Sequence, residues 1–137
     1  MAEDCIFCKI VRKEAPSSIV FENDQVLAFM DIRPVHEGHT LIIPKLHYVE
    51  VSDTPDEVLA NTYIVTKRIS VAVKKVTHAD GISIVQQNGK AAGQDIFHMH
   101  VHVIPRFHEK KMPHFSELAV VSREELDKVA ERIKKEL

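Results

Sequence analysis

The chain of 137 residues is short of three things, and each shortage excludes a class of function. It has no excess of one charge: 18 Lys and Arg stand against 20 Asp and Glu, a formal net charge of −2. No global positive field therefore favours nucleic acid or an anionic membrane surface. It has no apolar run near the ~20 residues that a membrane-spanning helix needs, and the acidic start reads as no signal peptide. It has only two cysteines, Cys5 and Cys8, whose close spacing makes a poor disulfide framework for a secreted domain. Internal repeats and low-complexity tracts are missing too. With 45% hydrophobic and 28% charged residues, the composition suits a soluble chain. The expectation is a single-domain cytoplasmic enzyme.

What is present is histidine. Residues 98–104 read His98-Met99-His100-Val101-His102-Val103-Ile104. Side chains alternate between the faces of a strand, so the three histidines share one face at roughly 7 Å steps while Met99, Val101 and Val103 share the other. Packing alone has little use for such a row, because each ring carries two nitrogens that need partners. Beside the bland reading of satisfied surface or core histidines stand two chemical ones. A three-histidine catalytic zinc site is disfavoured by geometry, since residues two apart on a flat strand hardly converge on one ion. Nucleophilic catalysis fits better, with one histidine attacking and its neighbours binding the developing charge. Gly93-Gln94-Asp95 just upstream is a glycine loop able to offer backbone N–H groups to an anion, which makes a phosphorus electrophile the natural target.

Organisation along the chain is α+β: an antiparallel sheet with a helix against one face. Residues 19–22 and 26–30 read as a hairpin around Asn23-Asp24, and 39–43 as a third strand closed by Pro44. Thr54-Pro55-Asp56-Glu57 forms a capping box that opens a long helix to Thr77, marked by Val58, Leu59, Thr62, Val65, Ile69 and Val73. Residues 81–87 make a fourth strand, 88–95 a loop, and the histidine strand runs to Pro105. A second capping box at Ser122 opens a terminal helix to Lys135. Cys5-Ile6-Phe7-Cys8, in a compact leader, reads as two buried thiols, as a redox pair without its usual βαβ context, or as half of a tetrahedral zinc site. Spacing does not choose the remaining ligands among nine histidines. His36, His78, His108 and His114 carry no motif and read as ordinary surface residues.

The histidine peptide resembles the signature of the histidine triad (HIT) family, three histidines alternating with apolar residues. Cys5-Ile6-Phe7-Cys8, Leu27 to Ile32, Gly38-His39 to Pro44-Lys45-Leu46-His47 and Gly93-Gln94 resemble its Hint-type branch, in the same order. The likeness covers about residues 4–106; residues 107–137 match only a looser pattern of prokaryotic-type members, within one HIT domain of about five strands, a long helix and a C-terminal helix. The resemblance implies that His100 is the nucleophile, forming a nucleotidyl-histidine intermediate, and that His102 stabilises the phosphate charge. It implies that His98 turns away to bind one structural zinc with Cys5, Cys8 and His47. By the same resemblance Asp31 binds the ribose hydroxyls, Ile32 packs on the base, His39 supports the phosphate or the triad, and Gln87, Gly93 and Gln94 contact substrate. One position departs from the pattern. Asp95 stands where this branch has serine, and its carboxylate would repel a phosphate unless protonated, turned away, or acting as the leaving-group acid. The implied activity is hydrolysis or transfer at the α-phosphate of adenosine nucleotide conjugates, such as phosphoramidates and aminoacyl adenylates, releasing AMP. Alternatives are a dinucleoside polyphosphate hydrolase, a nucleotide-binding regulator with little turnover, and a metal carrier. The partners implied are a purine nucleotide and a second copy in a homodimer, with no nucleic acid or membrane.

Overall fold

The computed structural model describes residues 3–114 and 117–137. A short helix α1 (Ile6–Val11) precedes strands β1 (Ile19–Glu22), β2 (Val26–Met30) and β3 (Thr40–Pro44). The long helix α2 (Asp56–Thr77), strands β4 (Gly81–Gln86) and β5 (Val101–Arg106), and the final helix α3 (Arg123–Lys134) follow. The strands form one antiparallel sheet in the order β1-β2-β3-β5-β4. Among the described residues, no helix is long and apolar enough to cross a membrane.

Alternation in β2 and β3 sets the layers. Val26, Ala28, Met30 and Ile42 join a core with Val65, Ile69, Ala72 and Val73 of α2 and Leu126, Val129, Ala130 and Ile133 of α3. Leu27, Phe29, Leu41 and Ile43 face the other way and join Phe7 and Ile10 of α1 in a second core. Each Val, Leu or Ile fully buried in this way contributes about 1.5–3 kcal/mol. The sheet is thus covered on both faces, where the sequence suggests a helix on one. Met99, Val101 and Val103 belong to the α2 core. Period two therefore turns His98, His100 and His102 to the α1 side.

The β1–β2 hairpin forms as expected: Asn23 Oδ1 accepts from the N–H groups of Gln25 and Val26 at 3.0 and 2.8 Å. The first capping box does not form. Pro55 is the cap of α2, and its carbonyl accepts from Leu59 N–H at 2.8 Å. The Thr54 hydroxyl instead donates to Glu50 O at 2.8 Å. The reciprocal capping pair is Glu50 and Asp53, on a 3₁₀ turn at Val51–Asp53. The second box is half made, with Ser122 Oγ accepting from Glu125 N–H at 3.3 Å. His78, left without a motif by the sequence, caps α2 with left-handed φ of 57°. Ladder pairing in the histidine strand begins only at Val101, since residues 98–100 lie outside it, with Met99 N–H bonded to Tyr48 O at 2.6 Å.

Candidate active site and metal centre

Helix α1 is too short to stand alone, and its start is organised by sulfur. Cys5 is its N-cap, and Cys5 Sγ accepts from Cys8 N–H at 3.5 Å. This turn brings both thiols to His47, which follows β3, and to His98. Cys5 Sγ and Cys8 Sγ each lie 3.6 Å from His98 Nδ1. His47 Nδ1 is 3.4 Å from Cys8 Sγ and 3.2 Å from His98 Nδ1. A tetrahedral zinc ion with ordinary Zn–N and Zn–S bonds sets such atoms about 3.3–3.6 Å apart. The protonation pattern fits as well. His98 Nε2–H donates to Pro44 O at 2.8 Å, so its Nδ1 turns a lone pair toward the sulfurs. Burial is the main force pushing the His98 pKa down, to about 4, so the ring is neutral as a ligand must be. These four residues fit a divalent metal of the zinc type.

A second cluster, Asp31, His39 and His102, also brings three ligand atoms within 4.8 Å of one another. Its hydrogen bonds speak against a metal. His39 Nδ1 accepts from Val35 N–H at 3.1 Å, so the proton of this neutral ring sits on Nε2. That Nε2–H points at His102 Nδ1, 3.0 Å away, and at Asp31 Oδ2, 3.4 Å away. His39 therefore has no free lone pair for an ion, and acts as a donor that fixes the ring of His102. With Nδ1 of His102 accepting, its proton is on Nε2, which makes that atom a donor too. Burial, first, and the neighbouring histidines push His39 down to about 3, and burial takes His102 to about 4.

His100 has the opposite polarity. Its Nδ1–H donates to His98 O at 2.7 Å, leaving a lone pair on Nε2. Burial lowers its pKa, which keeps the ring neutral. Phe7 packs edge-on against His98 and His100, with centroids 5.8 and 5.2 Å apart, and shields both from water. The rings of His100 and His102 lie 4.9 Å apart. His98 is drawn to the thiols while His100 and His102 face a cleft, so the row of three is split between two tasks.

That cleft has a volume of about 640 Å³, and Phe7, Ile10, Phe29, Ile32 and Leu41 form its apolar part. Asp31, Gln87, Gly93 and Asp95 contribute its polar edge together with His39, His100 and His102. Asp31 Oδ1 accepts from Arg33 N–H at 2.9 Å. Burial, and then the charge of Asp95, raise the Asp31 pKa to about 6. Asp95 Oδ1 accepts from Ile96 N–H at 2.9 Å and lies 3.8 Å from His100 Nε2.

Of the residues singled out in the sequence, Gln94 is placed apart from the cleft. It is buried, its Oε1 accepting from Gly89 N–H at 2.7 Å and its Nε2 donating to Val49 O and Ile96 O at 2.7 and 3.1 Å. It braces the loop under Gly93 instead of lining the cavity. Gly93 has φ of 94°, a left-handed backbone that favours glycine, and a Cβ there would come within 2.6 Å of Gln87 Nε2 and displace the end of that side chain. Ser17 and Leu118 also line the cleft, and no motif marks either.

A family model described as the HIT domain matches residues 12–109. An uncharacterized HIT-like protein of Methanocaldococcus jannaschii is 43% identical over 131 residues, 95% of this chain and 98% of its own length. Adenylylsulfatase HINT3 of Arabidopsis thaliana is 45% identical over 106 residues, 77% of this chain and 54% of the plant protein. Adenosine 5'-monophosphoramidase HNT1 of Saccharomyces cerevisiae is 44% identical over 106 residues, 77% of this chain and 65% of the yeast protein. The chain thus spans less than two thirds of either of those two relatives. Among solved structures, a Hit-like protein from Bartonella henselae aligns with a TM-score of 0.91 at 38% identity, covering 100% of this chain and 99% of that one. A zinc-bound histidine triad family protein from Mycobacterium smegmatis aligns at 0.85 and 37% identity, covering 97% and 92%.

Proposed function

The chain belongs to the HIT domain family, and on that premise we propose that it hydrolyses adenosine nucleotide conjugates at the α-phosphate through a nucleotidyl group carried on His100. The observation that carries this reading is the 2.7 Å bond from His100 Nδ1–H to His98 O, which leaves a neutral Nε2 lone pair facing the cleft. In-line attack by Nε2 forms a P–N bond and breaks the bond from phosphorus to the group on its far side, sulfate leaving as its anion and an amine leaving with a proton taken up from solvent. The His98 carbonyl then stabilises the positive charge gained by the ring. His102 Nε2–H, oriented by His39, donates to a phosphate oxygen as negative charge builds. Asp31 accepts from the ribose hydroxyls, and the purine lies on the apolar wall that includes Ile32. Gln87 and Gly93 hold the phosphate side, where Gln94 acts through the loop. Leaving groups of two kinds are supported by the relatives' names: an amine, as for a monophosphoramidase, and sulfate, as for an adenylylsulfatase.

Cys5, Cys8, His47 and His98 hold one zinc per chain in this reading. Its role is structural: a closed set of four ligands leaves no position for substrate, and the ion ties α1 to the catalytic strand. A metal set with two reduced thiols suits a cytoplasmic location. The protein acts as a homodimer, for which the exposed Ile64 and Val71 of α2 and Ile84 on the edge strand β4 supply an apolar face.

The test is a panel of adenylylated compounds covering amine, sulfate, aminoacyl and nucleotide leaving groups, with AMP as the measured product. Wild-type protein releases AMP from at least one of them, and His100→Ala loses that turnover while still binding AMP. Equal turnover by His100→Ala would remove the nucleophile assignment.

A further inference from the structure

We propose that Asp95 is the general base of the second half-reaction, taking a proton from the water that cleaves the nucleotidyl group off His100. This rests on the nucleotidyl-histidine reading above. Release of that group requires an acceptor for a water proton close to His100 Nε2, and among the described residues the hydrogen bonds of the site point to one candidate. His100 itself is occupied, with phosphorus on Nε2 and the Nδ1 proton bonded to the His98 carbonyl. His39 has its Nδ1 lone pair engaged by Val35 N–H and its Nε2 protonated. His102 accepts from His39 through Nδ1, so its Nε2 is a donor. His98 turns its lone pair to the thiols. Asp31 accepts from Arg33 N–H through Oδ1, and in the reading above it is engaged by the ribose hydroxyls.

Among the described residues, Asp95 combines reach with a spare lone pair. Its Oδ1 stands 3.8 Å from His100 Nε2, and its side chain is 80% exposed to solvent. The bond from Ile96 N–H anchors Oδ1. Among the described residues, no hydrogen bond engages the second carboxylate oxygen, so that oxygen is available to water. The step balances as follows. The water oxygen forms a bond to phosphorus, one water proton passes to the Asp95 carboxylate, and the P–N bond breaks with its electron pair returning to Nε2. AMP departs, His100 regains its neutral form with the proton still on Nδ1, and Asp95 gives its proton to solvent.

Asp95→Asn is the decisive variant, because its carboxamide oxygen can still accept from Ile96 N–H while the base is lost. Rapid-mixing kinetics of the full chain with an adenosine 5'-phosphoramidate of a fluorescent arylamine separate the two half-reactions. The expected result is a first turnover of amine release close to wild type, followed by steady-state turnover slower by about 100-fold or more, the usual scale of acid–base help. The nucleotidyl adduct on His100 accumulates in the variant, and hydroxylamine, which attacks without giving up a proton first, accelerates the variant more than the wild type. Unchanged steady-state turnover overturns the proposal. So does a first turnover that slows along with the steady state and more steeply for more basic amines, which assigns Asp95 to leaving-group protonation instead. If wild-type protein forms neither adduct nor AMP, the nucleotidyl-histidine reading itself fails, an outcome separate from the other two.

Discussion

Asp31→Asn isolates the electrostatic cost of building a ribose acceptor into this cleft. The Asp31 side chain is 19% exposed, and burial, aided by Asp95 and opposed by Arg33 and its backbone N–H, lifts its pKa from 3.8 to about 6. At 1.36 kcal/mol per pKa unit the difference is about 3 kcal/mol, and residual exposure reduces it to about 2. The sign follows from proton binding. Between pH 3.8 and about 6 the folded state holds a proton that the unfolded state has released, so stability falls as pH rises through this window and stays low above it. Asparagine does not titrate, so the variant lacks this term. Urea denaturation of both proteins from pH 4 to 8 should show Asp31→Asn gaining about 2 kcal/mol on the wild type, with the gain complete above about pH 7. AMP binding should run the other way, tightening in the wild type as Asp31 ionises near pH 6 and staying weak and flat in the variant. A stability difference independent of pH would show that Asp31 is not held against its charge, and the account of the ribose end of the cleft would fall with it.

Metal analysis of purified protein should find one zinc per chain. Chelation or Cys8→Ser should lower the Tm by about 10 °C or more, and retention of full stability without metal would contradict the structural role. Gly93→Ala should destabilise by about 1–3 kcal/mol and raise KM, because φ of 94° strains any side chain and a Cβ would displace Gln87 at the cleft. Light scattering at micromolar concentration should give a dimer, and lysine at both Val71 and Ile84 should give a monomer; a monomeric wild type would refute the interface.

Much of this molecule was legible because successive side chains of a strand point to opposite faces of the sheet. The apolar residues of β2 and β3 fill two cores by period two, and the same period places His98, His100 and His102 on one face even where ladder bonds are missing. The long helix is marked by Val65, Ile69 and Val73, all buried. Local motifs were less faithful when another partner competed. Thr54 has the right neighbours for a cap, yet a preceding turn takes its hydroxyl, so α2 opens a residue later. Helix α1 is six residues long, too short to show a period, and it exists because Cys5 caps it and Phe7 and Ile10 dock on β2 and β3. Gln94 reads as a substrate contact from its place beside Gly93, while its side chain is held by Val49, Gly89 and Ile96. Leu118 reaches the cleft from the tail that the family likeness covers least. The division of labour among the histidines is a property of their second nitrogens, and only the structure assigns those partners.

The most direct test of the central claim is peptide mapping by mass spectrometry of protein mixed briefly with an adenosine phosphoramidate and quenched without acid. One nucleotidyl group should appear on His100, disappear with the rate of turnover, and be missing from His100→Ala. Turnover with no adduct at any time, or an adduct on His98 or His102, would contradict the account.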